Sequence, residues 1–286
     1  MARLADYDVE HQYKAWVKKS DRLSPEGTEE VRELVLEIDR PDFEFKVGQS
    51  IGVLVKGQQE FGNSFHHRLY SVADLPKKNG KKNPQVKILV KRCSYIDDYS
   101  GEIYNGIASN FLCDRKEGDE ITITGPFGLP FTIPEDKSSD LLLIGLGTGI
   151  APFRALVKHI YTDLKDWKGK VRLFYGARSG LELIYMNDKN NDLTNYYDED
   201  TFKAFQALSP RPHWSDPIAL DYALEQRSEE ILNMLEKSNT HVFVAGHEKI
   251  RDLLDKAFIN MLGSKEKWEN RKAELMAGKR WVEIIY

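Results

Sequence analysis

The sequence predicts two domains: an antiparallel β-barrel or sandwich over residues 1–135, followed by an α/β domain with a parallel sheet over 136–286. Three observations predict it. Short β-branched runs bordered by Gly, Pro and Asn fill the first part. A polar stretch, Pro134-Glu135-Asp136-Lys137-Ser138-Ser139, has the composition of a linker. Beyond it, apolar strand-like runs alternate with helical periodicity, the pattern of a parallel sheet joined by helices.

In the first part, residues 51–55, 85–90 and 120–124 read as strands. Several such strands at short intervals suit a barrel or sandwich. In the second, residues 140–145 form a short apolar run, as expected of a strand buried on both faces. Phe153, Leu156, Val157, Ile160, Tyr161 and Leu164 then share one helical face. Residues 171–175 are the next strand, and residues 202–208 fit either a helix or a strand. Residues 241–246 read as a strand, 248–262 as an amphipathic helix and 281–286 as a strand-like tail. No internal repeat or low-complexity segment interrupts this order.

Composition bounds the function. With 286 residues, 41% hydrophobic and 30% charged, the chain can bury sizeable cores. A net charge of −4 argues against a strongly basic nucleic-acid footprint. Cys93 and Cys113 cannot supply the four ligands of a common iron–sulfur cluster or a Cys-only zinc site. The expectation is two reduced, partly buried thiols, no metal and no iron–sulfur cluster in this chain. Residues 1–6 lack the apolar core of a signal peptide, and no apolar run is long enough to span a bilayer. A cytoplasmic, reducing setting is expected.

Two segments carry chemistry. In Leu143-Ile-Gly-Leu-Gly-Thr-Gly-Ile-Ala-Pro-Phe-Arg154 a strand runs through Gly145, Gly147 and Gly149 into a helix with Pro152 in its first turn. Glycines let backbone approach a dinucleotide, and a helix start favours phosphate. The spacing is neither the Rossmann nor the Walker pattern, so a tight strand-to-helix turn is the alternative. The second segment, His67-Arg-Leu-Tyr-Ser-Val72, gathers a cation, an aromatic ring and a hydroxyl. On a strand, Arg68 and Tyr70 share one face and Leu69 and Ser71 the other. A ladder of mixed polarity is the alternative.

Taken together, Arg68-Leu69-Tyr70-Ser71 and Gly147-Thr148-Gly149-Ile150-Ala151-Pro152 resemble the plant-type ferredoxin–NADP reductase family. The likeness extends to Val47-Gly48-Gln49-Ser50, Val90-Lys91-Arg92, Gly106-Ile107-Ala108-Ser109-Asn110-Phe-Leu112, Thr124-Gly125-Pro126 and the tail Val282-Glu283-Ile-Ile-Tyr286. The resemblance implies an FAD-binding β-barrel followed by an NAD(P)-binding domain. Arg68 would neutralise the FAD pyrophosphate, Tyr70 stack on the flavin and Ser71 hydrogen-bond at flavin N5. Lys91 and the segment Gly106, Ile107, Ala108 and Ser109 match the second flavin segment, with Ser109 as a helix cap. Tyr95 matches the tyrosine that stacks on the adenine. Thr148 would lie between flavin and nicotinamide, and Tyr286 would cover the flavin and yield to the nicotinamide. Glu283 is implied as a proton-relay or cofactor-orienting group, although the family places its aromatic residue two positions after the glutamate rather than three. Ala245, followed by Gly246, stands where the family has cysteine, so retained chemistry at an altered rate is expected.

For the coenzyme, Arg178 suits a 2′-phosphate, Ser209-Pro210-Arg211 resembles the family's Ser-Arg clamp and Tyr222 its adenine-stacking tyrosine. NADPH is therefore expected over NADH. The implied activity is hydride transfer from NADPH to FAD, and electrons onward to a ferredoxin or flavodoxin. Lys77, Lys78, Lys81, Lys82, Lys91 and Arg92 are the candidate docking face. The alternatives are an NADH-dependent reductase component of a multicomponent oxygenase or electron-transfer system, and a redox-inactive nucleotide-sensing or assembly subunit.

Overall fold

A computed structural model describes residues 7–57, 65–76, 83–97, 99–128, 131–187, 190–212 and 216–286. The chain forms two compact units, Met1–Leu129 and Pro130–Tyr286. Lys77, Lys78, Lys81 and Lys82 lie outside the described residues.

The first unit contains β1 (Gln12–Arg22), β2 (Val31–Ile38), β3 (Ser50–Lys56), β4 (Phe65–Ser71) and β5 (Gln85–Lys91). A small hairpin follows, β6 (Ser94–Ile96) and β7 (Ile103–Asn105), then helix α1 (Ile107–Cys113) and β8 (Glu120–Phe127). Among the described residues, six strands pair antiparallel in the order β4-β3-β8-β1-β2-β5. The two edges meet where Val72 bridges Ile88 and the Ala73 N–H donates to the Lys87 carbonyl at 2.9 Å, so the sheet closes into a barrel. Alternation drives this closure. Ala15 and Val17, Leu34, Leu36 and Ile38, Ile51, Val53 and Val55, Val86, Ile88 and Val90, and Ile121 and Ile123 all point into one core, joined by Ala108 and Leu112 of α1. Each such fully buried aliphatic side chain contributes roughly 1.5–3 kcal/mol.

The second unit opens with β9 (Asp140–Leu146), a 3₁₀ turn at Gly147–Gly149 and α2 (Ile150–Lys158). The helix expected to run on to Leu164 loosens into a π-turn over His159–Leu164. Then come β10 (Val171–Ala177), β11 (Phe202–Leu208), α3 (Leu220–Glu225), α4 (Ser228–Glu236) and β12 (Thr240–Gly246). Helices α5 (Ile250–Leu262) and α6 (Lys265–Ala277) and strand β13 (Trp281–Ile285) complete the chain. Residues 202–208 are thus a strand, paired with β10 from Val171↔Phe202 to Ala177↔Leu208. The sheet is parallel, in the order β11-β10-β9-β12-β13. From β9 the chain builds outward to β10 and β11, then returns to the other side of β9 for β12 and β13. The C-terminal ends of β9 and β12 therefore flank a topological switch point, where open α/β sheets bind ligands.

Candidate functional site

The switch point is built from backbone. Gly147 has φ +58°, a left-handed conformation that glycine adopts without a side-chain clash. Gly149 is helical in its dihedrals, but a Cβ there would lie 2.0 Å from the Ala245 carbonyl oxygen. Absence of that one atom lets the turn after β9 sit against the end of β12. Helix α2 starts from this turn with no side-chain cap, and its first residues Ile150, Ala151 and Pro152 are buried. Its positive dipole end favours an anion, although the Ile150 N–H already donates to the Gly147 carbonyl and Pro152 has no N–H to offer.

Ala245, buried, pairs with Gly145 and Ile284 in the ladder. Beyond β13, the Tyr286 N–H donates to the Gly246 carbonyl at 3.2 Å. The Tyr286 hydroxyl lies 2.6 Å from Thr148 Oγ1, a hydrogen bond joining the C-terminal ring to the glycine turn. Glu283 sits differently. Its Oε2 accepts from Arg251 Nε and its Oε1 from Trp281 Nε1, both at 2.7 Å. Glu283 shares the strand face of Trp281, and its three-residue offset from Tyr286 keeps the two apart in the strand alternation. The structure places this carboxylate between Arg251 and Trp281.

The expected 2′-phosphate residues converge at the ends of β10 and β11. Arg178, exposed, follows β10, and its carbonyl accepts the Ser209 N–H at 3.3 Å. Ser209 Oγ donates to the Asp216 carbonyl at 2.7 Å. Arg211 donates to the Asp216 carboxylate through Nε at 2.8 Å and Nη2 at 3.5 Å. Tyr222 is exposed on α3.

In the barrel unit, Arg68 is exposed on β4, and among the described residues its Nη1 donates to the His67 carbonyl at 2.9 Å. Tyr70 packs partly against the barrel core, and burial holds its hydroxyl above the usual phenol range. Leu69 pairs with Gly52 and Ser71 with Ser50 at the strand end. Ser109 is not the helix cap. Gly106 is, and Ser109 lies inside α1, where its Oγ accepts the Cys93 N–H at 3.2 Å and donates to the Gly106 carbonyl at 3.3 Å. Asn110 Nδ2 reinforces that junction by donating to the Cys93 and Gly106 carbonyls. Ile107 is exposed and Ala108 buried at the start of α1. Tyr95 is exposed on β6 and stacks on Tyr104 of β7, ring centroids 5.4 Å apart.

Of the candidate docking residues that are described, Lys91 pairs with Glu29 at 2.6 Å, and Arg92 with Glu30 and Asp114. One expectation about the thiols is corrected. The cysteines are free but dissimilar: Cys93 is exposed and Cys113 buried. Burial pushes the Cys113 thiol up to about 11. Little of it is thiolate, the nucleophilic form, at pH 8. Iodoacetamide at that pH is therefore expected to label Cys93 and leave Cys113 intact in the native protein; peptide mass mapping that finds equal labelling would contradict this.

Sequence reasoning passed over three residues of these sites. Tyr104 had a signal, being opposite Tyr95 across a hairpin. Arg251 and Asp216 had none, because folding alone brings them to Glu283 and Arg211. Among the described residues, no group of three or more His, Cys, Asp or Glu side chains is placed to hold a metal. No helix among them is long and apolar enough to cross a membrane.

A barrel followed by a parallel sheet with a glycine turn at its switch point defines a two-unit nucleotide-binding oxidoreductase class, and residues 143–255 match the family described as Oxidoreductase NAD-binding domain. The chain belongs to the ferredoxin–NADP reductase family. It is 32% identical over 255 residues to the chloroplastic leaf isozyme 1 of ferredoxin–NADP reductase from Arabidopsis thaliana, covering 85% of this chain and 68% of that one. It is 28% identical over 267 residues to ferredoxin–NADP reductase from Picosynechococcus, covering 91% of this chain and 66% of that protein. It thus spans slightly less than two thirds of that cyanobacterial relative. In fold it is similar to ferredoxin–NADP+ reductase from Plasmodium falciparum, with a TM-score of 0.71, 21% identity and 98% of both chains covered.

Proposed function

We propose that this chain is a flavoprotein reductase that holds FAD on the barrel unit, takes hydride from NADPH on the α/β unit and passes electrons to a ferredoxin- or flavodoxin-like carrier. The observation that carries it is the cradle at the switch point, where Gly149 admits the turn against Ala245 and Thr148 meets Tyr286. The relatives' names support the reaction and the carrier. The two free cysteines suit a reducing, cytoplasmic setting.

The donor set of the barrel unit fits FAD. Arg68 offers an exposed planar fork of donors for a pyrophosphate. Tyr70 offers an aromatic surface, Ser71 a hydroxyl at the strand end, and the exposed Tyr95 a surface for the adenine. When bound, FAD supplies the ring that accepts hydride and returns electrons singly. The chain's own residues orient and shield. Thr148 and Tyr286 hold one another until the nicotinamide takes the ring's place, and the glycine turn with the positive end of α2 receives the coenzyme phosphates. Ala245 contributes a methyl-sized contact and no thiol.

A second reading, an NADH-dependent reductase component, is favoured by the carboxylate of Asp216 beside Arg211. One experiment tests the main proposal. Protein reconstituted with FAD is expected to be yellow and to bleach when NADPH is added without oxygen. Failure to take up FAD, or colour that neither NADPH nor NADH removes, would sink it. Faster bleaching by NADH favours the second reading.

A further inference from the structure

Resting on the dinucleotide reading above, we infer that Asp216 is a coenzyme-selecting residue: it occupies the 2′-phosphate cradle of this chain from within and narrows the preference for NADPH over NADH. Two of the groups expected to hold the phosphate, Ser209 and Arg211, are already engaged by this one residue. Ser209 Oγ donates to its backbone carbonyl at 2.7 Å, and Arg211 donates to its carboxylate at 2.8 and 3.5 Å. Asp216 is also the better enclosed partner, its side chain 22% exposed against 65% for Arg211. The arginine is therefore committed to Asp216. The Arg178 guanidinium, exposed after β10, has no ion-pair partner among the described residues. It is the cation ready to meet a phosphate, while Arg211 is held in reserve.

The two coenzymes meet this arrangement differently. A 2′-phosphate brings nearly two negative charges and needs the donors that Asp216 holds. It must displace the carboxylate from Arg211 or lie beside a like charge. A ribose 2′-hydroxyl brings no charge and can itself donate to a carboxylate, the arrangement by which NAD-selective sites recognise the sugar. Asp216 therefore opposes the phosphate and tolerates or assists the hydroxyl.

The test uses FAD-loaded protein and two fragments that carry no nicotinamide, so the readout is binding, not turnover. Dissociation constants for 2′,5′-ADP and 5′-AMP are measured by calorimetry for wild type, Asp216→Asn and Asp216→Ala. In both variants the ratio of the two constants is expected to move about five- to tenfold in favour of 2′,5′-ADP, the scale of one well-formed surface ion pair and its repulsive counterpart. The gain should shrink as salt is raised. The second substitution guards against one variant that disturbs the loop. A ratio unchanged in both variants, or moved towards 5′-AMP, would overturn the inference. If wild type still bleaches with NADPH in that case, the reductase reading stands and only the role of Asp216 falls. If wild type binds neither fragment, the coenzyme reading and this inference fall together.

Discussion

Gly149→Ala should destabilise the C-terminal unit by about 3 kcal/mol, the upper range for forcing one extra carbon into a packed site. For a unit of this size that lowers Tm by roughly 6–12 °C. The backbone conformation of Gly149, φ −60° and ψ −11°, suits alanine, so the whole cost is spatial. The new Cβ would lie 2.0 Å from the Ala245 carbonyl oxygen, 2.5 Å from its carbon and 3.0 Å from the Gly246 nitrogen. These are backbone atoms of β12 and cannot rotate aside. The turn and the strand end must separate, which also misplaces Thr148 and the first amides of α2. Affinity for 2′,5′-ADP should fall at least about tenfold, because phosphate binding at a helix start depends on where the turn and the helix dipole point. Gly147→Ala is the control. Its φ of +58° disfavours alanine, but nothing lies within 4 Å of the new Cβ, so the cost is about 1–2 kcal/mol. Thermal melts that rank Gly147→Ala as the worse variant would show that the turn does not press on β12.

Where local pattern decides the structure, the sequence could be read. Strands β3, β5 and β8 are β-branched runs bordered by turn residues, which marks them as strands even though β3 is buried on both faces and its register against β8 shifts between Ser50 and Gly52. β1 escaped because its register shifts between Val17 and Lys19, which breaks the alternation midway along an eleven-residue strand. β11 was undecided because it is an edge strand: only Phe202 and Ala207 are buried, and ladder pairing with β10 settles what periodicity cannot. α6 was passed over because it buries only Trp268 and Leu275, seven positions apart, on an otherwise charged helix.

The site divides in the same way. The glycine turn is written in adjacent residues, and so is the run from Arg68 to Ser71; both could be located before any fold was known. Ser109 was assigned a cap because serine commonly takes that place, yet the chain enters α1 at Gly106 and Ser109 bonds backward from inside it. Asp216 beside Arg211, Arg251 beside Glu283 and Tyr104 on Tyr95 are pairings of charge or shape made by tertiary structure. They change the reading of residues that motif likeness alone would treat as open to a ligand.

Trp268→Ala should be the most damaging change to the C-terminal half of this sheet, at about 4 kcal/mol. Trp268 is 1% exposed, stacks on Phe258 with centroids 4.2 Å apart and meets Trp281 edge-on at 5.4 Å. Its Nε1 also donates to Asp255 at 2.7 Å, so the truncation leaves a cavity and removes one partner of that carboxylate. The consequence reaches the site through β13. That strand is five residues long and, among the described strands, pairs with β12 alone. Its other anchors are Trp281 in the aromatic stack and Glu283 on Arg251. With the stack opened, β13 should fray locally before the sheet unfolds, and Tyr286 should part from Thr148. Denaturant unfolding measures the first effect, and hydrogen exchange of the Tyr286 amide, which donates to the Gly246 carbonyl, measures the second. A large loss of stability with unchanged exchange would mean that the Thr148 hydroxyl and the β12 ladder hold the tail by themselves, and that the aromatic stack serves the core alone.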